Sequence, residues 1–223
     1  GQRLHKSFYD KESQHRLSAY YNELDKENYN KYIVSNPINK EFVETLKKPE
    51  FTNFLLKNLY YQILISRRYD PINLMKLIIR KNRAHQKKKN YFEKFLFNEI
   101  YTAVEWAYTF NGVDKWPHTD GLKKVVSLLL YFPDKELTEK QINSLGTTFF
   151  NTNDYNLKSD KLDTLSKTQN FREKNKSQAF TLPFKKKSLF GFIKSHKSWH
   201  SVEKVDVSEG FIRKNINLSL LFA

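Results

Sequence analysis

Apolar positions follow two rhythms along this chain, and the rhythm changes after Phe110. Before that point the spacing is mainly helical. Leu17, Tyr20, Tyr21 and Leu24 stand three or four apart and predict a short helix within residues 1–31. Tyr32-Ile33-Val34 is a candidate first strand, broken by Asn36-Pro37. Asn39 or its polar neighbours can then cap a helix carrying Phe42, Val43 and Leu46. Between residues 51 and 68, Phe54, Leu55, Leu59 and Ile63 suit one helix face, although 60–65 reads equally well as a strand. Asp70-Pro71 interrupts, 74–79 restarts an apolar run, and 80–89 is a basic loop. The strongest helical pattern covers 91–110, where Phe92, Phe95, Leu96, Ala103, Trp106 and Phe110 recur at helical steps with no Pro or Gly inside. Asn111-Gly112 closes it.

Downstream, short runs of period two alternate with turns. Strands are predicted at 125–132, ended by Pro133-Asp134, and at 146–150, 179–182, 189–193 and 213–222. Short strands at this spacing predict an antiparallel sandwich or barrel. The polar stretch 151–177 has few large apolar groups and predicts a long loop, either mobile filler or a lid over a site. On the last strand Arg213, Asn215, Asn217 and Ser219 share one face, and Ile216, Leu218, Leu220 and Phe222 share the other. Such a polar stripe faces water on an edge strand or lines a polar cavity, and periodicity leaves both open.

With 223 residues, 39% hydrophobic and 15% aromatic, the chain has enough apolar material for one core, which excludes global disorder. The net charge of +15 has two readings. One is a polyanionic partner such as nucleic acid; the other is the Lys, Asn, Ile, Phe and Tyr usage of an AT-rich genome. The basic clusters are 80–94 and Lys185-Lys186-Lys187, and neither has the aromatic spacing of a nucleic-acid module. The absence of cysteine excludes disulfides and thiolate metal sites, so any metal must use histidine and carboxylate. No apolar run approaches the roughly 18 residues of a membrane helix. The polar start is unlike a signal peptide, and the expected location is cytoplasmic.

Candidate chemistry centres on Trp116-Pro117-His118-Thr119-Asp120-Gly121. His118 and Asp120 are two apart, so in an extended segment both leave one face and can hold the same divalent ion. His200, in Ser198-Trp199-His200, would complete a set of two histidines and one carboxylate if the fold returned it to that pair. That set is the ligand arrangement of non-heme Fe(II) oxygenases. His196 has the same strand parity and is the rival ligand. The plainer alternatives are that His118 caps a turn and that His200 is a core histidine bonded to a backbone carbonyl.

The succession of Trp116-Pro117-His118-Thr119-Asp120, Leu128-Leu129-Leu130-Tyr131, Leu145-Gly146-Thr147-Thr148-Phe149, Leu189-Phe190-Gly191-Phe192, Ser198-Trp199-His200-Ser201-Val202 and Arg213-Lys214-Asn215-Ile216-Asn217-Leu218-Ser219-Leu220 lies within residues 116–222, about half the chain. It resembles the 2-oxoglutarate and Fe(II)-dependent oxygenases, particularly their prolyl 4-hydroxylase-like branch. The resemblance implies an α+β fold in one domain, 1–223. Its double-stranded β-helix (jelly-roll) core would occupy 113–223 with a loop insert at 151–178, and 1–112 would be mainly helical support. It further implies His118, Asp120 and His200 as iron ligands and Arg213 as the 2-oxoglutarate anchor. Tyr131 would donate its hydroxyl to the same distal carboxylate, and Asn215 would add a polar contact. The implied reaction hydroxylates an unidentified peptide or small molecule with O2, releasing succinate and CO2. Relatives that halogenate lack the carboxylate, so Asp120 points to hydroxylation. The sequence departs from the family at Leu145-Gly146, where two glycines are common, and at Asn215, where many relatives have Ser or Thr. A reading from another class is a non-catalytic basic β-helix module gripping nucleic acid. The sequence carries no signature of oligomeric state.

Overall fold

The computed structural model describes residues 4–5, 18–21, 37–66, 100–112, 114–121, 123–152, 162, 164–208 and 211–222. In chain order the elements are β1 (Leu4–His5), β2 (Ser18–Tyr21), α1 (Pro37–Lys47), α2 (Pro49–Ser66), β3 (Ile100–Phe110), β4 (Lys115–His118) and β5 (Lys124–Tyr131). There follow α3 (Glu139–Ser144), β6 (Thr147–Phe150), α4 (Leu165–Asn175), a 3-10 turn, β7 (Ala179–Leu182), β8 (Leu189–Ile193), β9 (Trp199–Val202) and β10 (Ile212–Phe222). The strands form two antiparallel sheets, one in the order β1-β2-β3-β10-β5-β8 and the other β4-β9-β6-β7.

Strand β10 organises the larger sheet. It pairs along its whole length with β3, from Ile212 opposite Phe110 to Phe222 opposite Ile100, and on its other side with β5. Its aliphatic face is covered by helices. Val43 and Leu46 of α1 pack with Val104, Ile216 and Leu218, while Leu56 and Ile63 of α2 pack with Ile100, Val126, Leu220 and Phe222. Fully burying each such side chain stabilises the fold by roughly 1.5–3 kcal/mol. With that face under helices, the stripe Arg213, Asn215 and Asn217 is left to line the space on the other side of the sheet.

The first half of the chain corrects the helical expectation. The strongest predicted helix, 91–110, is a strand over Ile100–Phe110; 91–99 lie outside the described residues. The segment Ile-Tyr-Thr-Ala-Val-Glu-Trp-Ala-Tyr-Thr-Phe is rich in β-branched and aromatic residues, and apolar side chains stand on both its faces, so its apolar positions satisfied helical and period-two templates together. Tyr20 and Tyr21 likewise sit in a strand rather than a helix, with Ser18–Tyr21 completing the free edge of β3 from Thr109 to Trp106. Among the described residues, the first 112 therefore supply three strands as well as helices. Helix α1 starts at Pro37, which suits a first helical position, and Asn39 lies inside the first turn instead of capping it. Residues 60–65 are helical, and Phe54 is exposed. The expected strand 32–34, the run 74–79 and the basic cluster 80–94 lie outside the described residues.

The expected loop 151–178 contains a helix. Thr164 caps α4 by accepting from the Lys167 N–H, and Phe171 is buried against Phe150 and Trp199. The helix is polar apart from this narrow seam, which is why composition concealed it. Gly146 answers a close approach of β6 to β7: a Cβ there would stand 2.2 Å from the Leu182 carbonyl oxygen. Among the described residues, no helix is long and apolar enough to cross a membrane.

Candidate metal centre

Strands β4 and β9 pair so that His118 lies directly opposite His200. Opposed residues of an antiparallel pair share a face, and the two imidazole centroids are 4.3 Å apart. A bulge between Lys115 and His118 shifts the register, which brings Lys115 to the same cavity despite its opposite parity. Asp120 follows β4 in the connection to β5. The ligand atoms offered by His118, Asp120 and His200 all lie within 4.8 Å of one another, so the three can hold one metal ion.

Each imidazole is oriented by its own strand. His118 donates its Nδ1–H to the Trp116 carbonyl at 2.7 Å, and His200 donates its Nδ1–H to the Ser198 carbonyl at 2.9 Å. A carbonyl only accepts, so Nδ1 carries the proton in both rings and each Nε2 keeps its lone pair. Burial lowers both histidines, His118 to about 3, with the neighbouring His200 as the next cause. Both are therefore neutral near pH 7. Burial alone would raise Asp120, but the Lys124 ammonium, the two imidazoles and the Ser127 hydroxyl outweigh it and hold the carboxyl well below its ordinary range. Two neutral nitrogens and one carboxylate form a donor set suited to a divalent transition metal.

The centre opens into a cavity of about 250 Å³ between the two sheets. Arg213 and Asn215 line it from β10. The Arg213 side chain is 1% exposed and is fixed by Nε–H to the Leu145 carbonyl (2.7 Å), by a terminal N–H to Asn215 Oδ1 (2.7 Å) and by a longer contact to Thr147 Oγ1 (3.4 Å). Its guanidinium carbon lies 5.1 Å from the ring centres of both Tyr131 and Phe184. The donor chain continues from Asn215 to Asn217 and from Asn217 to Glu105. Thr109, paired with Arg213 on the neighbouring strand, buries a hydroxyl with no hydrogen-bond partner among the described residues.

His118, Asp120 and His200 are thus brought together, with Arg213 and Asn215 in the same cavity. Tyr131 is fully buried behind the wall, its hydroxyl bonded to Thr147 Oγ1 at 2.7 Å, and Thr147 is the residue of that pair that faces the cavity. His196 stands exposed on the turn between β8 and β9, away from the cavity lining. Sequence reasoning missed Lys124, Ser127 and Thr147. Ser127, the single polar residue within Val-Val-Ser-Leu-Leu-Leu, carried a signal that could have found it. Of the basic clusters, Lys185-Lys186-Lys187 is exposed between β7 and β8, with Lys187 in the left-handed region.

No family model matches the chain, and no curated protein matches it. Among solved structures it is similar to a Pseudomonas putida prolyl-4-hydroxylase at 14% identity and TM-score 0.35, covering 68% of this chain and 60% of that one. A cupin domain from Bordetella pertussis is similar at 8% identity and TM-score 0.30, covering 55% of this chain and 83% of that one. HygX from Streptomyces hygroscopicus, solved with nickel, 2-oxoglutarate and hygromycin B, is similar at 8% identity and TM-score 0.36, covering 71% and 65%. The chain spans about 60% of the length of the prolyl-4-hydroxylase. All three likenesses are distant.

Proposed function

We propose that this chain is an Fe(II)- and 2-oxoglutarate-dependent dioxygenase that hydroxylates a peptide or small-molecule substrate. The observation that carries the reading is the convergence of two Nε2 lone pairs and an ionised carboxylate at one side of a cavity that also holds a buried guanidinium. The fold is compatible. Counting β3 as the first of eight strands, the two sheets run 1-8-3-6 and 2-7-4-5, the order of a double-stranded β-helix, with β1 and β2 added at one edge.

His118, Asp120 and His200 would hold the metal, and the planar fork of Arg213 would bind the distal carboxylate of the oxo acid through paired donors. Leu145 and Asn215 fix the plane of that fork. Phe149 and Phe192 pack on His200 and keep water from that side of the ring. When bound, iron and 2-oxoglutarate supply the oxidising chemistry, which divides O2 between succinate and the hydroxylated product.

The test is to add Fe(II) and 2-oxoglutarate without oxygen, following the visible charge-transfer band of an iron–oxo acid chelate, and then to measure succinate after aeration. The wild-type protein should give both signals, and His118→Ala and Asp120→Ala should lose both. A wild-type protein that yields neither band nor succinate refutes the proposal.

A further inference from the structure

A metal site has to keep its carboxylate in place before an ion arrives, and here each oxygen of Asp120 already has a partner. The Ser127 hydroxyl donates to Oδ2 at 2.7 Å, and the Lys124 ammonium donates to Oδ1 at 2.9 Å. The two partners are held differently. Ser127 is buried in the middle of β5, opposite Ser219 of β10, so its hydroxyl is placed by a rigid sheet. Lys124 is the first residue of β5, turned back towards Asp120 by a backbone hydrogen bond from its N–H to the Gly121 carbonyl at 3.0 Å. Its charge rides on a flexible four-carbon stem. The Lys124 side chain is 29% exposed and that of Asp120 is 11% exposed, so the pair sits at the wall of the cavity rather than in bulk water.

We infer that Lys124 is the resident counter-cation of the metal-free centre, and that a divalent ion takes its place on Oδ1 while Ser127 keeps Oδ2. This rests on the metal-site reading above. A metal–carboxylate bond is about 2.0–2.2 Å long, well inside the ammonium contact, and two cations on one oxygen repel. The neutral, strand-held hydroxyl has no such conflict with an ion. Lys124 therefore holds the carboxylate in the metal-free protein and opposes the metal once it binds, whereas Ser127 orients the carboxylate in both states. A merely structural lysine would give the opposite sign on removal: loss of the contact would loosen Asp120 and weaken the site.

The experiment uses the full chain stripped with a chelator and Mn(II) as a redox-inert probe, with affinity read by calorimetry. Lys124→Met should bind Mn(II) roughly tenfold more tightly than wild type, in keeping with a single charge removed from near the ion. Ser127→Ala should bind about tenfold more weakly. Metal-free Lys124→Met should also melt at a lower temperature than metal-free wild type, because Asp120 has lost its counter-charge. Lys124→Gln, which keeps a polar group and drops the charge, should shift Mn(II) affinity in the same direction and serves if the methionine variant folds poorly. If wild type binds Mn(II) and both Lys124 variants bind it no more tightly, the inference is overturned and the metal centre stands. If wild type takes up no Mn(II), the metal-site reading falls and the inference with it.

Discussion

Replacing Arg213 by lysine keeps the charge and removes the fork. In the folded protein the guanidinium donates to the Leu145 carbonyl and Asn215 Oδ1 at 2.7 Å and to Thr147 Oγ1 at 3.4 Å, while lying 5.1 Å from the centres of two aromatic rings. An ammonium at the end of a straight stem reaches one of the two near acceptors. The other is left buried without its donor, which costs about 1–3 kcal/mol. Loss of the contact with Tyr131 and Phe184 removes about 1–2 kcal/mol more. Arg213→Lys should therefore lower stability by about 2–5 kcal/mol, a large part of the roughly 5–15 kcal/mol of an ordinary domain. Urea unfolding of the metal-free proteins measures this directly, since an unchanged slope with a shifted midpoint reports stability alone. In parallel, 2-oxoglutarate titrated into the anaerobic iron-loaded proteins should bind at least about tenfold more weakly to the variant, because paired donors are lost. A stability change under about 1 kcal/mol would refute the packing argument. An unchanged 2-oxoglutarate affinity would remove Arg213 as the anchor.

Gly146→Ala should destabilise the protein by roughly 2–4 kcal/mol, because its Cβ would meet the Leu182 carbonyl oxygen at 2.2 Å and Thr181 Cγ2 at 2.7 Å. An unchanged melting temperature would refute the close approach of β6 to β7. Stability of the metal-free protein should fall as pH drops below the ordinary histidine range, since burial lowers His118 to about 3 and lowers His200 in the same direction. Above about pH 6.5 both states are neutral at these positions, whereas below it the unfolded chain takes up protons that the folded one refuses, on the order of a few kcal/mol by pH 3. Denaturant unfolding at pH 7.5 and 5 checks this, and the His118→Gln, His200→Gln double variant should show a weaker dependence. Equal slopes with pH in both proteins would contradict it.

Much of the second half was legible in the sequence. Short β-branched and aromatic runs bounded by turn residues located β5, β6, β7, β8 and β10, and β10 alone among them also wrote a polar and an aliphatic face into the chain as clean alternation. His118 and Asp120 were legible as a pair because they are two residues apart. Less was legible where apolar residues stand on both faces of a segment or where it is stabilised from a distance. Strand β3 was read as helix because apolar residues stand on both its faces and also fall at helical steps, and the choice fell to eleven residues of pairing with β10. Helix α4 was read as loop because only Thr168, Phe171 and Asn175 turn inward.

The sequence by itself determined which residue types were available to the site: histidine and carboxylate without cysteine, one arginine at the head of a polar stripe, and a strand with an aliphatic reverse. Tertiary structure alone decided that α1 and α2 would cover that reverse, so that the stripe lines a cavity instead of facing water. It alone set His200 opposite His118 and left His196 on an exposed turn, although both histidines have the same parity. Alternation fixes a side chain's face within its own strand, but it carries no information about which distant strand will pair there or what will cover the sheet.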